Sequence, residues 1–86
     1  NFFKYKKNKI FEIESEKFNN LTENLKFLAI QSFYYENRFL FKKQIRDENI
    51  RNFIKIFNSN IQNGKERSIF SGKIGVLNKK IYINLT

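Results

Sequence analysis

The sequence predicts an α+β protein, and three observations carry that prediction. After Asp47, apolar residues recur at helical spacing: Ile50, Phe53, Ile54, Phe57 and Ile61 form one stripe at 3, 4, 7 and 11 residues. Two β-type runs follow, Lys73 to Leu77 and Lys80 to Leu85, joined through Asn78-Lys79. At the other end, Phe2 to Tyr5 and Ile10 to Glu14 alternate apolar and polar residues around Lys6-Lys7-Asn8-Lys9, which reads as a hairpin. Phe3, Tyr5, Phe11 and Ile13 are its inward candidates, and Glu12 and Glu14 are expected to face solvent opposite Lys4 and Lys6.

Next along the chain, Phe18, Leu21, Leu25, Leu28 and Ser32 alternate spacings of 3 and 4, predicting a helix to about Ile30. Asn20 is its candidate cap, with Glu23 at the third helical position. Extended or irregular chain is expected after Ile30. A competing reading pairs 27–35 with 38–43 as a second hairpin about Glu36-Asn37. Asp47 is the expected N-cap of the second helix, because a carboxylate accepts orphan backbone N–H groups and suits the positive helix end. Asn63-Gly64 is its expected stop. Gly72 and Gly75 predict a bend or bulge at a strand entry. The expected organisation is a basic, aromatic-rich extension over residues 1–44, then a helix and two strands over 45–86.

Eighty-six residues permit one small domain, which buries only ~60–65% of its unfolded surface and gains from partner contacts. Asn, Lys, Ile and Phe number 13, 13, 12 and 11, and all four have codons writable in A and T alone. The parent genome is therefore expected to be AT-rich, with the Phe content leaning towards an organelle. The first residue is not Met, so an N-terminus that is processed, trimmed or not fully represented is expected. The chain has no Cys and no His, which removes disulfides, thiolate metal sites and the commonest catalytic base. No apolar run approaches membrane-span length, and no cofactor is expected.

Seventeen Lys and Arg against eight Asp and Glu give a net charge of +9. So dense a charge on a small domain points to a polyanion, because counterion release drives binding. The candidate phosphate-contacting residues are Lys6, Lys7 and Lys9; Arg38, Lys42, Lys43, Arg46 and Arg51; and Lys73, Lys79 and Lys80. Lys4 also belongs to the first group. Codon drift alone enriches Lys, but it explains the arginines less easily. Tyr34, Tyr35, Phe39 and Phe41 beside Arg38 and Lys42 offer a stacking surface. The favoured reading puts most of these rings in the core or at a protein interface, since a chain poor in Leu, Val and Ala must pack with Phe and Ile. Carboxylates at Glu12, Glu14 and Glu16 lack any partner that would complete a catalytic set, and Ser-Gly-Lys-Ile-Gly is wrongly framed for a phosphate loop. No enzyme activity is expected.

The order of residues from Phe33 to Thr86 resembles the third protein of the small ribosomal subunit, in its organellar form. In that family Asp-x-x-apolar-Arg-x-aromatic-apolar opens the first helix of a type II KH domain, and Asp47, Ile50, Arg51, Phe53 and Ile54 are similar. A basic aromatic run such as Phe33-Tyr34-Tyr35-Glu36-Asn37-Arg38-Phe39-Leu40-Phe41 precedes it, and two strands follow, the second ending in threonine like Lys80 to Thr86. The family then continues with a Gly-x-x-Gly loop, absent here. The resemblance implies the leading α-β-β half of a KH domain, with another chain supplying the rest. It also implies a structural role on rRNA among neighbouring ribosomal proteins in the mitochondrial matrix. The rival expectation is a small inhibitor or immunity protein from a phage or an AT-rich bacterium, cytoplasmic and acting by covering a protein surface.

Overall fold

The computed structural model describes residues 2–86. Both helices and strands are present, as an α+β protein requires. The elements are β1 (Phe3–Lys7), β2 (Ile10–Ile13), α1 (Ser15–Asn19), α2 (Glu23–Glu36), a 3-10 turn (Arg38–Leu40), α3 (Asp47–Asn58), β3 (Glu66–Ile69), β4 (Gly72–Leu77) and β5 (Lys80–Asn84). The five strands form one antiparallel sheet in the order β1-β2-β5-β4-β3.

Two sequence-local hairpins meet across β2 and β5, with Phe11 opposite Ile83 and Ile13 opposite Ile81. Their turns share a chemistry. Asn8-Lys9 and Asn78-Lys79 both adopt positive φ, near 50° and 63° in one and 53° and 64° in the other. That is the handedness a two-residue hairpin needs to follow the strand twist. The pairing of β2 with β5 joins a strand from residues 1–44 to one from residues 45–86. Both segments contribute to one sheet and one core, because Phe3, Phe11 and Ile13 pack with Ile74, Ile83 and Leu85.

All helices lie on one face of this sheet. Helix α3 buries Ile50, Phe53, Ile54, Ile56 and Phe57, as its spacing predicts. It begins one residue earlier than expected: Arg46 holds the N-cap position, and its N–H donates to Asn49 Oδ1 at 2.8 Å. It stops at Asn58, ahead of Asn63-Gly64. The run Asn58-Ser59-Asn60 ends it, with Ser59 Oγ donating to the Ile56 carbonyl at 2.6 Å and Asn60 at φ 57°. Short polar side chains compete for backbone groups in this way. Gly64, at φ 82°, instead turns the chain into the sheet, where its N–H meets the Val76 carbonyl at 2.6 Å.

Helix α2 departs most from expectation. It runs through to Glu36, so no second hairpin forms, and the irregular chain expected after Ile30 begins only beyond Glu36. Thr22, not Asn20, caps it, accepting the Leu25 N–H at 3.3 Å. Its buried residues are Lys26, Ile30, Phe33 and Tyr34, while Leu25 and Leu28 of the regularly spaced set are exposed. Phe33 decides the orientation, since it stacks on Phe3 at 4.4 Å and meets Phe11 edge-on at 4.8 Å. Helix α1 and strand β3 are additional to the predicted elements. Each is too short to display a period.

The glycines of β4 are packing positions, not bulges. A Cβ at Gly72 would meet the backbone of Asn84. One at Gly75 would lie 2.7 Å from the Tyr82 hydroxyl, because the Tyr82 side chain lies across that position from β5. Tyr82 then donates to Glu66 Oε2 at 3.0 Å, across the face of the sheet opposite the helices. Desolvation, with the neighbouring Glu66 carboxylate accepting that hydrogen bond, raises the tyrosine pKa above its ordinary 10.0. Among the described residues no helix is long and apolar enough to cross a membrane.

Candidate nucleic-acid interface

The segment Phe41-Lys42-Lys43-Gln44-Ile45 places two cations between two apolar anchors. Phe41 sits in an aromatic cluster, 5.9 Å from Phe33, 4.9 Å from Tyr34 and 5.5 Å from Phe70. Ile45 is buried in the core. Phe70 in turn stacks on Phe53 at 5.4 Å. The β3–β4 turn and the 41–46 loop are therefore held against each other through their rings, while Lys42 and Lys43 remain exposed.

Between loop and turn lies a groove of about 420 Å³, lined by Lys42, Lys43, Lys73, Asn49, Ser71 and Thr86 among others. Ser71 Oγ is buried there and has no hydrogen-bond partner. A buried hydroxyl without a partner carries a desolvation penalty. Lys42 and Lys43 make no ion pair among the described residues, and Lys73 reaches Glu66 only at 3.8 Å between exposed side chains. So exposed a pair holds a cation weakly. Lys7 and Lys9 belong to the same end of the sheet, where the Leu85 N–H donates to the Lys9 carbonyl at 3.0 Å. Hairpin geometry and an aromatic clamp thus gather five cations from three separate parts of the sequence.

The other candidate cations lie elsewhere. Lys6 extends over the open sheet face to Glu12, at 3.7 Å. Lys79 and Lys80 mark the β4–β5 turn, at the opposite end of the sheet. Arg51 stacks its guanidinium 5.0 Å from the Phe27 ring on the helical face. Arg38 lines a separate hollow with Tyr35 and Asp47. Arg46 is exposed at the start of α3. Of the four rings offered for stacking, Tyr34 is buried and Phe41 half-buried in the aromatic cluster, whereas Tyr35 and Phe39 are exposed, Phe39 at 82%.

Sequence reasoning missed Ser71. Its only signal was its place beside Gly72 at a turn, and a serine there is ordinary turn chemistry. Among the described residues no group of three or more acidic side chains is placed to hold a metal ion. Comparison with protein-family models, curated proteins and solved structures finds no match to this chain.

Proposed function

We propose that the protein is a structural, non-catalytic rRNA-binding component of a mitochondrial small ribosomal subunit. In this reading Lys42, Lys43 and Lys73 neutralise backbone phosphates, and Lys7 and Lys9 extend the contact along the sheet end. The observation that carries it is the groove where Lys42, Lys43 and Lys73, from separate parts of the chain, come together beside the partnerless Ser71 hydroxyl. The residue order from Phe33 to Thr86 supports the ribosomal assignment. Neighbouring ribosomal proteins would cover the exposed Leu25, Leu28, Tyr35 and Phe39. A chain carrying the remainder of a KH-type domain would join at the β1 or β3 edge or over the open sheet face, since β5 already has neighbours on both sides.

One observation favours a second reading. The hairpins close into a single sheet over one shared core, a self-contained unit that suits a small bacterial or phage inhibitor working through its exposed apolar stripe.

Salt-dependent binding of small-subunit rRNA fragments separates the two. Reversing Lys42, Lys43 and Lys73 to Glu is expected to weaken RNA binding on the order of 100-fold and to reduce the salt slope by ~2–3. Reversing Lys79 and Lys80 should change it by less than about threefold, because the groove at that end is lined by apolar side chains and Glu16 and not by a cluster of exposed lysines. Equal loss from both sets would remove the sheet end as the interface. Salt-insensitive or absent RNA binding by the native protein would favour the inhibitor reading.

A further inference from the structure

Lys26 is the buried polar residue that the RNA reading leaves unused. It is only 7% exposed, yet no carboxylate lies within ion-pairing distance of it among the described residues. Its Nζ donates to Asn58 Oδ1 at 3.2 Å and sits 5.9 Å from the centre of the Phe57 ring. Asn58 is the last residue of α3, so the negative end of that helix offsets part of the charge. An ammonium offers three donors, however, and a buried one without a counter-charge is costly.

Lys26, Phe57 and Asn58 all line one groove of about 700 Å³, where α1 and the ends of α2 and α3 meet the β4–β5 hairpin. Phe57, Ile74, Val76 and Ile81 supply its apolar surface. Ser15, Asn19 and Asn60 supply polar side chains that make no hydrogen bond among the described residues. Two further charges face it, Lys79 and Glu16. The volume is that of a small-ligand site.

Three chemistries therefore converge: a cation, an apolar surface, and amide and hydroxyl groups. A free inorganic anion would leave the apolar surface unused. A fatty acid would leave the amides unmatched. We propose that the groove captures the C-terminus of a partner polypeptide. The terminal carboxylate pairs with Lys26, the last apolar side chain lies on Ile74, Val76 and Ile81, and Asn19, Asn60 and Ser15 hydrogen-bond the peptide backbone. Capture of a chain-end carboxylate is a recurring mode of peptide recognition. The proposal is independent of RNA binding and sits at the far end of the sheet from the lysine groove.

The test titrates the native protein with N-acetyl-Gly-Gly-Leu, and separately with its C-terminal carboxamide, followed by amide chemical shifts. The acid is expected to bind at least ~10-fold more tightly than the amide, as a charge-assisted hydrogen bond requires. The shifts should concentrate at Asn58, Ile61, Val76 and Ile81. Lys26→Met should reduce the advantage of the acid over the carboxamide to less than about twofold, and Glu16→Gln should strengthen acid binding severalfold. Equal binding of acid and carboxamide, no binding of either, or shifts away from the groove would overturn the proposal. The comparison on native protein decides this even if the Lys26 variant folds poorly.

Discussion

Helices α2 and α3 cover the same sheet face, run antiparallel, and were specified in different ways. That direction follows from the contacts of Lys26, early in α2, with Asn58 at the end of α3. Helix α3 is amphipathic in the ordinary sense: one stripe is apolar, the rest is polar, and the stripe is buried. Helix α2 has its apolar residues spread around its circumference. It carries two candidate stripes, one through Leu25, Leu28 and Tyr35 and one through Ile30, Phe33 and Tyr34. Periodicity alone cannot choose between them. Tertiary packing chose the second, because Phe33 fits the aromatic pocket made by Phe3 and Phe11. The cost of that choice is a lysine in the interior and leucines outside.

Truncation should expose this contrast with the largest effect. Phe53→Ala in α3 and Phe33→Ala in α2 are each expected to lose ~3–5 kcal/mol in denaturant unfolding, since both rings are buried among other rings. Leu28→Ala, 53% exposed despite its place in the regular stripe, should fall within about 0.5 kcal/mol of the native protein. A Leu28 penalty as large as that of Phe33 would mean that α2 packs through its other face.

A smaller effect compares the hairpin at each side of the sheet. Lys9 and Lys79 both occupy left-handed positions where glycine is the easier residue. Lys9→Gly and Lys79→Gly should each stabilise by ~0.5–1 kcal/mol, after allowing for the extra unfolded-state entropy of glycine. Thermal unfolding of the two single variants checks this. A loss at either site would show that its lysine side chain does more than tolerate the turn.

The smallest effect concerns pH. Tyr82 has its folded-state pKa raised above 10.0, so its contribution to stability is complete below pH 10.0 and disappears as pH rises through the folded value. Above pH 10.0 the native protein should therefore lose stability more steeply than Tyr82→Phe, measured by urea midpoint at matched ionic strength. Parallel profiles would break the link between Tyr82 and Glu66.

Much of the C-terminal half was legible because its signals were redundant. In α3 the apolar spacing agreed with acidic residues in the first turn, and in β4–β5 two apolar runs agreed with an Asn-led turn. The N-terminal hairpin was legible for the same reason, although Tyr5 proved exposed at the sheet margin. Other features had no local signal. Strand β3 contains one apolar residue in four and exists because β4 pairs with it. The union of Lys42 and Lys43 with Lys73 depends on Phe41 meeting Phe70, a contact between rings far apart in sequence. Charge composition pointed to cations as the functional groups, but only the fold separates the five at one sheet end from those scattered elsewhere.

The strand order has a kinetic consequence. The middle strand of the sheet, β5, is the last to appear along the chain, and it must join a hairpin made at the beginning. The β1–β2 ribbon cannot find its inner neighbour until nearly every other element has emerged, and an isolated two-stranded ribbon is marginal in water. Folding should thus be governed by one long loop closure, slow for a chain this short. Meanwhile β2 waits with an unsatisfied edge and apolar Phe11 and Ile13 uncovered. During synthesis that interval is when the nascent protein is most exposed to aggregation and most dependent on chaperones or early partners.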